Sequence, residues 1–73
     1  MKIYIAKNRY SRGCSMAVIV ANTKEEAIKV SRDIKNFSTD EVKESTTLKY
    51  TGKKKEAHVM EKIEFCEGMV YFD

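Results

Sequence analysis

The 73-residue chain contains no proline, three glycines, two cysteines and one histidine. It has no apolar run long enough to cross a bilayer, because its longest, Met16 to Ala21, is far short of a membrane-spanning helix. With proline absent, Gly13, Gly52 and Gly68 are the strongest punctuation marks available, and each stands between strand-like segments. Cys14 and Cys66, with no signal-peptide pattern after Met1, predict an intracellular product with reduced thiols, both cysteines acting as small hydrophobes at strand ends. A disulfide would require those strand ends to be neighbours, and nothing in the sequence demands it. Two distant cysteines and one histidine at no recognisable spacing do not make a zinc site, so no metal and no cofactor is expected. Charge of one sign is also scarce: 34% of residues are charged, yet the surplus is only +3, which excludes a polycation. The distribution is uneven. Residues 1–37 hold eight positive and three negative side chains, residues 38–73 six positive and eight negative.

Catalysis has little to build on. Cys14, Ser15 and His58 lack a third orienting group at any recognisable spacing. His58 lies on an alternating segment opposite Ala57 and Val59, which predicts a solvent-facing or partner-facing side chain. Glu61 and Glu64 fall on opposite faces of the same segment, against a paired-carboxylate site. A chain this short builds a core near the lower limit of what folds unaided, with no room for a deep substrate cavity.

What is present is a legible alternation of elements. Met16 to Ala21 is β-branched in its centre and bounded by polar residues, a buried strand. Thr23-Lys-Glu-Glu26 follows with the spacing of a helix capping box, and two acids in the first turn suit the positive end of the helix dipole. Ala27, Val30, Ser31 and Ile34 then share one helical face, widened by Ile28, while Lys24, Glu25, Lys29, Arg32 and Asp33 share the other. Before this unit, residues 2–8 alternate as a strand with Ile3 and Ile5 on one side and Tyr4 and Ala6 on the other, both apolar enough for a central position. A polar loop from Asn8 to Gly13 makes the two strands a hairpin.

After the helix, Asn36-Phe37 reads as the exit, with Phe37 folding back on the core. Residues 40–44 read as irregular, although Ser38-Thr-Asp-Glu41 repeats the capping-box spacing. Residues 46–51 have strand composition and 52–55 form a turn. Residues 56–65 alternate, with Ala57, Val59, Ile63 and Phe65 on one face and His58, Met60, Lys62 and Glu64 on the other, largely solvated one. Glu61 interrupts the apolar row and marks either a bulge or a place where the row leaves the core. Cys66-Glu-Gly68 turns the chain into a last strand, 69–72. The expected fold is therefore a single α+β domain, 1–73, in ββαβββ order: strands near 2–8, 14–21, 46–51, 56–65 and 69–72, and a helix near 24–35. A mainly antiparallel sheet carries the helix on one face.

Two basic loops carry the candidate binding residues. Arg9-Tyr-Ser-Arg12 places two guanidiniums around an aromatic, able to clamp phosphates while Tyr10 stacks on a base. Lys49-Tyr50 precedes Lys53-Lys54-Lys55, again an aromatic beside a basic turn, with His58 just beyond. At one end of the sheet the loops would form a single basic patch. A cluster of Met60, Met69, Tyr71, Phe72 and Tyr4 is mostly core, and any exposed part is an adaptable apolar surface suited to a protein partner.

Lys2-Ile-Tyr-Ile-Ala6, a basic loop, the strand Ala17 to Ala21 and the helix start Asn22-Thr-Lys-Glu-Glu-Ala-Ile28 together resemble small accessory proteins of phages and other mobile elements, over the first half of the chain. Among such proteins are anti-CRISPR and other anti-defence inhibitors. The resemblance implies stoichiometric inhibition of a bacterial immune complex by surface occlusion, in the cytoplasm of a bacterial host cell. It carries over no functional residue. The expectation is a non-enzymatic binder of a larger host protein or nucleoprotein complex, with no membrane association and with a homodimer through an edge strand open to it. The alternative is direct nucleic-acid binding through the basic loops.

Overall fold

A computed structural model describes residues 1–9, 15–39 and 41–63. They form an α+β domain in which one helix, α1 (Lys24–Ser31), lies on an antiparallel sheet of β1 (Lys2–Lys7), β2 (Met16–Ala21), β3 (Val42–Glu44) and β4 (His58–Ile63). The strand order is β3-β1-β2-β4. β1 and β2 are the central pair, in register from Lys2 opposite Ala21 to Lys7 opposite Met16. All of β2 from Ala17 to Ala21 is buried, so its continuous apolar run reflects a strand covered on both faces.

The helix side of the sheet is built from Tyr4, Ala6, Ala17, Ile19, Ala21 and Val42, against Ala27, Ile34 and Phe37. Four of these are alanines, which let the helix backbone approach the strands while Ile19 and Phe37 fill the remaining volume. The cap forms as its spacing predicts: Thr23 Oγ1 accepts the Glu26 N–H at 3.2 Å. Glu26 reaches one residue further back than a standard box, its Oε1 accepting the Asn22 N–H at 2.8 Å. The helix ends at Ser31, not near residue 35. Ser31 is buried and donates its hydroxyl hydrogen to the Ile28 carbonyl at 2.6 Å, and Asp33 and Ile34 take up tighter i→i+3 bonds to Val30 and Ser31. Asn36 then adopts a left-handed φ of 56°, which turns Phe37 into the core.

Three sequence expectations are corrected beyond the helix. Residues 42–44, expected to be irregular, are the edge strand β3, paired with β1 from Tyr4 opposite Glu44 to Ala6 opposite Val42. A short Thr39 turn prepares it, the hydroxyl accepting the Glu41 N–H at 3.1 Å. Residues 46–51, expected to be a strand, have no ladder. The Ser45 hydroxyl accepts the Leu48 N–H at 2.8 Å and curls the chain away from the sheet edge. The segment instead crosses the second face, where Leu48 and Tyr50 pack with Ile63 over Ile3, Val18 and Val20. Leu48, Tyr50 and Ile63 stay half-buried, so the segment covers that face only in part.

The third correction concerns β4, which starts at His58 rather than 56. Ile19 faces Val59 and Val18 faces Glu61, so Met60 is an extra residue at a β-bulge. The bulge reverses the alternation: Val59 stays with the helix-side core, whereas Ile63 lies in the second cluster. The expected shared face of Val59 and Ile63 does not exist. Glu61 leaves the helix-side row because of the bulge, one of the two readings open to the sequence. Phe65, Cys14, Cys66, the Met69–Phe72 part of the aromatic cluster and the predicted last strand lie outside the described residues.

Candidate binding surface at the lysine-bearing end

The base of the first basic loop and the lysine turn stand at opposite ends of the sheet. The hairpin loop leaves β1 beyond Lys7 and rejoins β2 before Met16, closed by the Asn8 N–H donating to the Ser15 carbonyl at 2.9 Å. Gly52, Lys54 and Lys55 instead gather beside Met1 and Asn22, at the end where Lys2 faces Ala21. A six-residue strand separates Arg9 at the hairpin base from the lysine turn by about 17 Å, so these described residues do not meet the condition of lying at one end.

At the hairpin end, Arg9 is exposed and its N–H donates to the Ser38 carbonyl at 2.7 Å. Asn8 fastens this base to the helix exit: its Oδ1 accepts the Ser38 N–H at 3.0 Å and its Nδ2 donates to the Asn36 carbonyl at 2.9 Å. Tyr10 and Arg12 lie outside the described residues. Asn8 escaped sequence reasoning because its partners are about thirty positions away; no local spacing could have revealed them.

At the opposite end, Lys49, Lys53, Lys54 and Lys55 are exposed, while Tyr50 and His58 are half-buried. Tyr50 organises the group. Its hydroxyl donates to the Lys54 carbonyl at 2.9 Å, across the turn, and its ring meets His58 edge-on at 5.6 Å between centroids and 69° between planes. Gly52 leaves room for the ring in this position: a Cβ there would stand 2.5–2.6 Å from the Tyr50 ring and hydroxyl and displace them. His58 Nδ1 lies 2.6 Å from the Glu56 carbonyl, an acceptor only, so that nitrogen carries the hydrogen. Tyr50 and His58 are thus supports of the lysine turn.

Two shallow depressions meet over Met1 and Tyr50. One, of about 420 Å³, also includes Asn22, Gly52, Lys54 and Lys55. The other, of about 520 Å³, runs along Lys2, Ile3, Leu48 and Lys49 beside Glu44, whose Oε1 is 3.6 Å from Lys2 Nζ. Both ion-pair partners are about half exposed, so the pair contributes little to stability. Lys49, Lys53, Lys54 and Lys55 form no ion pair with any carboxylate among the described residues.

Among the described residues no three potential metal ligands cluster, and no helix is long and apolar enough to cross a membrane. At the sheet edge, β3 is only three residues long and carries exposed Lys43 and Glu44, a form that blunts edge-to-edge pairing. No family model, curated protein or solved structure matches the chain.

Proposed function

We propose that this chain is a non-enzymatic binding protein that inhibits a larger host assembly by covering part of its surface, docking through the lysine-bearing end of the sheet. The observation that carries the reading is the Tyr50 brace, with its hydroxyl tied to the Lys54 carbonyl and its ring seated between Gly52 and His58. A turn held in this way presents Lys53–Lys55 in a preset shape, so less conformational entropy is lost on docking. The use of His58 as a brace also supports a binding role over general-base chemistry. The likeness of the first half to phage accessory proteins directs the search toward bacterial defence complexes, CRISPR-associated ones included.

The test is capture from a bacterial lysate expressing candidate defence complexes, followed by titration of the captured complex's activity. Inhibition reaching its limit near one chain per binding site is expected. Turnover of any substrate at sub-stoichiometric chain would sink the proposal. Direct nucleic-acid binding is the second reading, favoured by the lysines of the turn, which form no ion pair among the described residues. It predicts a salt-dependent mobility shift with DNA or RNA that Lys53→Gln, Lys54→Gln and Lys55→Gln abolish together, and that Arg9→Ala weakens.

A further inference from the structure

We infer that the occupant of the lysine-bearing end is an extended acidic protein segment that also carries apolar side chains, rather than a nucleic acid. This rests on the occlusion reading above and specifies its partner. Between positions 49 and 58 stand four lysines and a single glutamate, Glu56, a local excess that complements carboxylates. The depressions between those lysines are not purely polar, because Met1, Ile3, Leu48 and Tyr50 line them. Met1 is among the few large hydrophobic side chains that remain well exposed in the described residues. A segment alternating acidic and apolar side chains satisfies both features at once: carboxylates reach Lys49, Lys54 and Lys55 while apolar groups cover Met1 and Leu48.

The same residues serve a nucleic acid poorly. Base stacking needs an available aromatic, and the Tyr50 ring and hydroxyl are already engaged by His58, Gly52 and Lys54. The cations are all lysines, point charges without the planar fork that grips phosphate in two places. Glu44 at the margin repels a phosphate chain, whereas an acidic peptide can thread its sparser charges past it.

The experiment is fluorescence anisotropy of the full chain with four labelled probes: three peptides of equal length, an alternating Glu/Leu, a Glu/Ser and a Ser/Leu sequence, and a single-stranded oligonucleotide of the same charge as the first. The Glu/Leu peptide is expected to bind tightest, with affinity falling as salt rises. Lys54→Gln with Lys55→Gln should weaken it roughly tenfold, while Lys29→Gln on the helix leaves it unchanged. Oligonucleotide affinity equal to or above that of the Glu/Leu peptide overturns the inference. So does equal binding of the Glu/Ser peptide, no binding of any peptide, or indifference to the lysine substitutions. Lysate capture by the double variant separates the two claims. Undiminished capture of a complex refutes this inference and the docking through the lysine-bearing end, and spares occlusion by another surface. Peptide binding as expected, with no complex captured or inhibited by the unmodified chain, does the reverse.

Discussion

Asn8 and Gly52 each hold one end of the molecule together, and neither does so through charge or hydrophobicity. Asn8 supplies an acceptor to the half-buried Ser38 N–H and a donor to the Asn36 carbonyl. Asn8→Ala leaves the Ser38 N–H without this acceptor, while the exposed Asn36 carbonyl turns to water, and is expected to lower stability by about 1 kcal/mol in urea denaturation. If the variant unfolds at the same urea concentration as the parent, the clamp is dispensable. Gly52 matters for what it omits. Gly52→Ala forces the Tyr50 ring aside, so the ring-current shift of the His58 protons should collapse toward the value in an unstructured peptide. Overpacking at the site is expected to cost about 1 kcal/mol. Unchanged His58 shifts in the folded variant would show that the ring does not rest on Gly52. Gly52 stood out in the sequence as turn punctuation. Its actual constraint is the ring of a residue two positions earlier, which only the folded arrangement brings against it.

At the scale of elements, the strand-to-helix unit from Met16 to Ser31 was legible because its determinants are local. A β-branched run, a hydroxyl at the cap and a carboxylate three residues later act within a few positions of one another. The elements after the helix were harder to read because theirs are not. Residues 46–51 have strand composition, but both sides of the central pair are occupied: β3 takes the outer side of β1 and β4 that of β2. The segment was left to cover the second face with Leu48 and Tyr50. The bulge in β4 gives a direct test. Because Val59 and Glu61 already face consecutive residues of β2, deletion of Met60 should leave every cross-strand pair in place. Deletion of Lys62 would move Ile63 opposite Ala17 and off the second cluster. The Lys62 deletion is expected to be the less stable of the two by about 1 kcal/mol, on the order of burying half of an isoleucine. Equal stabilities, or loss of the Val18–Glu61 contact on deleting Met60, would contradict the register.

For the molecule as a whole, the consequence of the topology is a division into two ends. The hairpin base is tied to the helix exit at one end, and the braced lysine turn stands at the other. Ile19 connects them mechanically: it is fully buried in the middle of β2, under the helix and beside Val59. Ile19→Ala is expected to cost about 2–5 kcal/mol. That is a large share of the roughly 5–15 kcal/mol that holds a typical domain folded. Its thermal unfolding should remain one cooperative transition at a lower midpoint. A variant whose lysine end melts separately from the hairpin end would show that the two do not share a core.

The sequence by itself determined the fold class, the central hairpin, the capped helix and the identity of the lysine-rich turn, because those features depend on residue type and spacing within one or two turns of chain. Tertiary structure decided which strand found the edge, where the bulge re-aimed Ile63, and that the hairpin base and the lysine turn stand at opposite ends of the sheet. The physical reason is competition. A backbone edge or a buried face can be filled only once, and which segment fills it depends on how well all the others fit elsewhere, a comparison no local window contains.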